Sequence, residues 1–324
     1  MKFRTELHLE PSKFNIRYED QLLLLGSCFS ENIGAKLVTS KYQTLINPLG
    51  IMYHPLPLHQ TISDAVDGKS ITEEELNINP EGRYTAWNVH SKLCTTDPSE
   101  THMNIKAGVH QLSSSLHNAN YLILTYGTAY CYHHIAHGAV ANCHKFPAKD
   151  FEKKLSSPEE IKSSFDSMLS KMMAINPKIK ILLTVSPVRH IKDGIAENNR
   201  SKAHLLTAVH EICDAIDNCH YLPSYELLID DLRDYRYFNE DMVHPSNQAI
   251  EYIWDKISYH LLDPNERILR SDISKIVQAA MHRPFDPNSE KHKAFVAKQI
   301  KSIKSLATTH PNLDFTQELL AFDQ

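Results

Sequence analysis

Ser27 and Cys28 stand side by side in "QLLLLGSCFSENIGAKL", where four leucines run into Gly26 and an amphipathic stretch follows. Either side chain could be a nucleophile. In the first turn of a helix, free backbone N–H groups and the helix dipole favour negative charge. For Cys28 that environment favours the thiolate. For Ser27 the same N–H groups would serve mainly as an oxyanion hole. Both choices need a base and a third group to orient it. "YFNEDMVHPS" offers the two together. Asp241 and His244 lie three residues apart, so the carboxylate can reach the near imidazole nitrogen and leave the far one to take a proton. A second D-x-x-H, Asp217–His220, precedes an apolar run, whereas Asp241–His244 follows one and leads into a Pro-Ser helix start.

Other polar clusters are less specific, because the chain holds twenty histidines. "CYHHIAHGAVANCHK" carries Cys131, His133, His134, His137, Cys143 and His144. On a helix His133 and His137 would share a face and could hold zinc. The segment follows an apolar run, contains Gly138 and lacks acidic partners, so no metal ligand and no cofactor are assigned. Asn142 and His144 are expected to line or brace a pocket. Arg189 and His190, just after "KIKILLTVSP", could bind a substrate anion or form a plain surface loop.

Three continuous apolar runs must position these residues: Gln21–Ser27, Asn120–Thr128 and Lys178–Pro187. A fourth, weaker run is His220–Ile229. Continuous rather than alternating apolar residues suit strands covered on both faces of a parallel sheet. Helical patterns lie between them. Ser30–Ser40 begins with Ser30 as N-cap, and Ser157–Ile175 has Ser157 as cap and Pro158 at the first helical position. Ser201–Cys213 and Ser246–Leu262 follow. Alternating strand and helix implies a doubly wound α/β fold, whose ligands bind at the carboxyl ends of the strands. Ser27–Cys28, Gly127–Thr128, Ser186–His190 and Asp241–His244 would then share one rim. Residues 1–262 are expected to form this domain. The Pro-, Thr-, Asn- and His-rich stretch from about 50 to 118 reads as an insertion over the sheet with a short strand at Tyr84–Val89. Residues 263–324 read as a charged helical extension.

Bulk properties point the same way. The net charge is −5, with no basic excess that would suggest a nucleic-acid partner. No stretch reaches the roughly 18 apolar residues of a membrane span, and "MKFRTELHLE" lacks the continuous apolar run expected of a signal peptide. Six scattered cysteines without a CxxC pair read as reduced thiols. The expectation is a cytoplasmic protein that binds neither nucleic acid nor membrane.

"LLLLGSCFSENIG" resembles the signature of the GSCFA family. "INPLGIMYHP", "YGTAY", "VANCHKFPAKDF", "TVSPVRH", "SKAHL" and "LPSYELLIDDLRDYRYFNEDMVHPS" resemble it as well, in order from about Phe3 to His260. That family is grouped with the SGNH, or GDSL-like, hydrolases. The resemblance implies a flavodoxin-like three-layer α/β/α sandwich and hydrolysis or transfer of an acyl ester carried by a small molecule or glycan. It matches Asp241 and His244 to the superfamily's D-x-x-H block, Gly50 to its oxyanion glycine and Gly127–Thr128 to the start of its third block. Ala129 falls where the superfamily has asparagine, and Asn142 is the candidate replacement. Alignment on Gly26 sets Cys28 on the nucleophile and Ser27 beside it, while a turn one residue different would reverse them. A catalytically degenerate binding or assembly module and a metal-dependent hydrolase are the other readings.

Overall fold

The computed structural model describes residues 4–323. In chain order the elements are β1 (Gln21–Gly26), α1 (Cys28–Thr39), β2 (Gln43–Ile46), α2 (Pro55–Val66), β3 (Asn77–Ile78), β4 (Tyr84–Thr85), α3 (Pro98–Asn118), β5 (Tyr121–Tyr126), β6 (Tyr130–His134), β7 (Gly138–Val140) and β8 (Phe151–Leu155). Then come α4 (Pro158–Ile175), β9 (Lys180–Val185), α5 (Ile195–Ala215), β10 (Cys219–Tyr221), α6 (Ser224–Glu226), α7 (Asn247–Leu261), α8 (Arg267–Met281), α9 (Glu290–Thr309) and α10 (Thr316–Phe322).

Five strands form the main sheet in the order β2-β1-β5-β9-β10. β1, β5, β9 and β10 pair in parallel, with Gly26 opposite Thr125 and Tyr126 opposite Val185. This is the expected α/β class. Alternate residues explain the continuous apolar runs. Leu23, Leu25, Leu122, Leu124, Ile181 and Leu183 share one core with Ile62, Leu112, Phe165 and Leu205 from α2 to α5. Their neighbours Leu22, Leu24, Ile123 and Leu182 are equally buried, as strands covered on both faces require. The chain leaves β1 toward β2 on one side and later returns to β5 on the other. The ends of β1 and β5 therefore flank a topological switch point, where such sheets open a crevice.

Several local expectations shift. The helix after β1 starts at Cys28 rather than Ser30, so Ser30 is inside it and Ser27 takes the capping position. The fourth apolar run is a strand only over Cys219–Tyr221. Pro223 has no N–H to extend the ladder, and the chain turns into α6 and a π-turn over Leu227–Asp231. Residues 50–118, expected as an insertion, supply α2 and α3, whose Ile62, Leu112 and Leu116 sit in the core. The strand expected at Tyr84–Val89 is the two-residue β4, paired with β3. α4 starts as its sequence says: Ser157 accepts from Glu160 N–H, Glu160 returns the bond, and Pro158 opens the helix.

The chain divides into two compact units. The first holds the residues up to His8, Gln21–Gly34 and Leu45–Ile253. β7-β6-β8, a small antiparallel sheet, belongs to it. The second gathers Leu9–Asp20, Ala35–Thr44 and the chain from Trp254 on. Within it Ile273, Ile276, Val277, Ile303 and Phe315 are buried, Tyr18 stacks on Tyr42 with ring centres 4.3 Å apart, and Lys41 pairs with Glu318 at 2.6 Å. Among the described residues, no helix is long and apolar enough to cross a membrane.

Candidate active site

The turn after β1 is built from backbone contacts. Gly26 has φ +127°, and a Cβ there would overlap the Thr125 carbonyl. Ser27 N–H donates to that carbonyl at 3.1 Å, Gly26 N–H donates to Asn47 Oδ1 at 2.9 Å, and Met52 N–H donates to the Gly26 carbonyl at 3.0 Å. Ser27 is 1% exposed, and its Oγ accepts from Phe29 N–H at 3.3 Å. Ser30 donates to Thr125 Oγ1 at 2.7 Å. Cys28 is left half-buried as the first residue of α1.

The backbone N–H groups of Cys28 and Phe29 point at the Cys28 sulfur and favour its thiolate, as expected of a helix start. They do not prevail. Burial, followed by the charge of Glu31, pushes the thiol up from its ordinary value, with Lys202 opposing. The expected net depression of the Cys28 pKa is therefore overturned for the free protein, because desolvation penalises the anion more than the helix end stabilises it.

Asp241 and His244 close a tight loop before α7. Asp241 Oδ1 accepts the N–H groups of Val243 and His244, both at 2.9 Å, and Oδ2 takes the His244 Nδ1 proton at 2.6 Å. Asn239 N–H donates to the His244 carbonyl, and Met242 turns through φ +57°. This arrangement leaves Nε2 as the lone-pair nitrogen. Hydrogen bonds from the His244 backbone and ring, then from Val243, hold the Asp241 carboxyl down at about 2. A depressed carboxylate stabilises the folded loop above its unfolded value, 3.8, and that support is lost as pH falls through about 2. The bonded Nδ1 proton of His244 should thus give a low-field NMR resonance at pH 5. It should disappear on acidification through that window, and be missing at pH 5 in Asp241→Asn. A resonance unchanged in that variant would contradict the pairing.

His190 lies against Tyr53, ring centres 5.2 Å apart and edge to face. Burial, helped by the charges of Lys202, Lys153 and His244, pushes its pKa down to about 4. A neutral His190 brings no charge to an anion at neutral pH, which corrects half of the expectation for Arg189–His190. Arg189 lines a cleft of about 490 Å³ with Ile191, Ile195, Leu232, Phe238 and Asp241.

The expected oxyanion donors do not present free N–H groups. Gly50 N–H donates to Asn47 O at 2.7 Å inside a turn of φ +85°. Gly127 and Thr128 N–H both donate to Tyr53 O, at 2.8 and 3.2 Å. The Thr128 hydroxyl meets Ser201 Oγ at 3.1 Å. These residues brace the Tyr53 segment against the end of β5. Asn142 donates to Ser91 Oγ at 3.3 Å and accepts His144 N–H at 2.9 Å. His144 is buried, bonded to the Ala86 carbonyl at 2.7 Å, and burial lowers its pKa. Asn142 and His144 therefore brace the 86–91 segment. Ala129, the position at which an asparagine was looked for, is buried, and its N–H donates to Ser201 Oγ.

His133 is on β6 and His137 in the turn to β7, so they do not share a helix face. His134 and His137 lie against Trp87 instead, with ring centres 4.6 and 5.4 Å away. Among the described residues, no group of three or more His, Cys, Asp or Glu side chains is arranged to hold a metal.

Lys202 escaped the sequence reading. It is 1% exposed, and its Nζ donates to the carbonyls of Gly127 and Ser186, each at 2.6 Å. The signal was there. Leu205, Ala208, Val209 and Ile212 define the buried stripe of α5, and the same spacing carried backward reaches Lys202 and Asn198. A lysine on a core stripe needs an explanation.

A family model described as "GSCFA family" matches residues 21–257, and one described as "GSCFA domain protein, C-terminal domain" matches residues 273–324. No curated protein matches the chain.

Proposed function

Because the chain belongs to the GSCFA family, and because Asp241 fixes the His244 ring at 2.6 Å with Nε2 left to accept a proton, we propose that it is an SGNH-like hydrolase or acyltransferase acting on an ester through Cys28, His244 and Asp241. The strand order β2-β1-β5-β9-β10 supports the superfamily assignment, since it is the flavodoxin-like order. The substrate is an acyl ester on a small molecule or glycan, turned over in the cytoplasm. The cleft lined by Ile191, Ile195, Leu232 and Phe238 takes its apolar part, with Arg189 at its edge.

The chemistry follows from the residues. His244 Nε2 takes the Cys28 proton as sulfur attacks the carbonyl carbon. Asp241 holds the tautomer and stabilises the imidazolium. The Cys28 N–H, which faces its own sulfur, is the oxyanion donor in hand. The C–S bond forms, the C–O bond breaks, and His244 returns the proton to the leaving alcohol. Water or an acceptor hydroxyl then releases the acyl group.

A second reading is favoured by one observation: the N–H groups of Gly50, Gly127 and Thr128 are already spent. On that reading the site binds or assembles without turnover. The two separate by mass. Incubation with activated acyl esters of varied chain length should add one acyl group to the Cys28 peptide, and the adduct should decay with release of free acid. An adduct on Ser27 would move the nucleophile, and acyl esters bound without any adduct would establish the second reading.

A further inference from the structure

The cleft beside the Asp241–His244 loop is not wholly apolar. It holds about 490 Å³, room for a small ligand, and Asp241, Met242 and Val243 form part of its wall. Ile191, Ile195, Leu228, Leu232 and Phe238 supply apolar surface. Arg189 and Arg233 line it as well. Each arginine is anchored on one neutral acceptor. Arg189 stands past the end of β9, the end at which such sheets bind ligands, and its Nη1 donates to Asn199 Oδ1 on α5 at 3.3 Å. Arg233 follows the π-turn over Leu227–Asp231, and its Nε donates to the Asp230 carbonyl at 2.9 Å. A guanidinium has five donors and no acceptor, so each keeps most of its donors unspent. Among the described residues neither arginine forms an ion pair. The two carboxylates of the wall are engaged elsewhere. Asp234 pairs with Arg236 at 2.9 Å and accepts its N–H, and Asp241 is held by His244 and Val243. A lone exposed arginine would be a solvated surface residue. Here two separate segments, one after β9 and one after β10, bring a pair of them to a single apolar cleft.

We propose that the ester bound here carries an oxyanion, a phosphate or a carboxylate, at the end of its apolar arm, and that Arg189 and Arg233 bind it as specificity-determining residues. The proposal rests on this cleft being the substrate cleft of the reading above. Paired oxygens on a phosphate or carboxylate match the fork of a guanidinium, and such hydrogen bonds are charge-assisted. The apolar residues hold the arm, and the anion fixes where along the cleft the ester must lie. A neutral ester of the same length lacks that anchor.

Binding of short probes to the full chain tests this without turnover. Hexyl phosphate, heptanoate and hexanol share an alkyl arm and differ in the head group. Titration calorimetry at low salt should find at least one of the two anions bound about tenfold more tightly than hexanol, and the tighter of the two names the head group. Arg189→Gln and Arg233→Gln, each with native circular dichroism, should weaken that anion about tenfold and bring it toward hexanol. Arg267→Gln, the same substitution made in the second unit, should leave its affinity unchanged. Equal affinities for the three probes, binding of none, or anion binding that survives both cleft variants would overturn the proposal. Should a variant fail to fold, the comparison of probes on wild type still decides. The two readings fail separately. Anion binding by a protein that forms no acyl adduct counts against the hydrolase and leaves the anion subsite standing, whereas turnover of neutral esters with no preference for anionic ones does the reverse.

Discussion

If the proposed hydrolase function holds, Cys28→Ala should lose ester turnover by at least about 10³-fold, whereas Ser27→Ala should keep it within about tenfold. The asymmetry follows from where the two oxygen and sulfur atoms point. Ser27 Oγ is buried and accepts from Phe29 N–H at 3.3 Å, the bond of a helix cap. Removing it costs about 1 kcal/mol of stability and no chemistry. Cys28 is half-buried, with backbone N–H groups directed at its sulfur. His244→Gln should match the Cys28→Ala loss, and the double variant should lose little more, because members of one catalytic unit do not contribute independently. Steady-state kinetics on the best ester of the panel decides the matter. Turnover retained by Cys28→Ala and abolished in Ser27→Ala would reverse the two assignments.

Gly26→Ala should destabilise the first unit by more than about 3 kcal/mol, and it should do so without altering Cys28, Asp241 or His244. Two costs add. At φ +127° an L side chain is strained. Its Cβ would also occupy the space of the Thr125 carbonyl, which is backbone in the centre of the sheet and cannot swing aside. Relief requires parting β1 from β5, which would break the Ser27 N–H bond to Thr125 O. Gly68→Ala is the matched control. Gly68 also has positive φ, +69°, but nothing lies within 4 Å of its added Cβ. That variant should lose only about 1 kcal/mol. Chemical denaturation of both proteins compares them, and equal losses would show that the β1–β5 approach is not what demands glycine.

The sheet was legible because its central strands are buried on both faces and read as near-continuous apolar runs, broken inside only by Thr125 and Thr184. β5 and β9 appear in the structure within a few residues of the apolar runs that announced them. The edge was not: β10 is three residues long, and the apolar residues after Pro223 belong to helical turns. α2 and α3 were missed for a different reason. Their apolar positions are diluted by His, Thr and Ser, and His54 and His59 are buried through hydrogen bonds, His59 to Tyr126 at 2.6 Å. Burial depresses both rings to about 3, so they behave as neutral core residues, which composition alone reads as polar. In the site, the D-x-x-H spacing gave the Asp241–His244 bond directly, because three residues of turn fix the reach. The oxyanion donors could not be read, since whether Gly50 N–H is free depends on Asn47, and nothing in the residue types says which carbonyl a turn will choose.

Each letter from Gly26 to Ser30 answers to a different force. Gly26 is there because β5 leaves no room, and Ser27 because a helix start needs a cap. Phe29 is there because it fills the interior at 2% exposure, and Ser30 because Thr125 Oγ1 needs a donor. Four of the five are answerable to stability alone. Cys28 is the exception: half-buried at the first position of α1, it is the one the proposed chemistry calls on, and a small apolar residue would be expected to pack there. A library of variants sorted only for foldedness would therefore leave position 28 the most permissive of the five. If Cys28 is the nucleophile proposed above, sorting the same library for the protein's activity should make it the least permissive, and the contrast between the two tolerance maps tests that assignment without knowledge of the substrate.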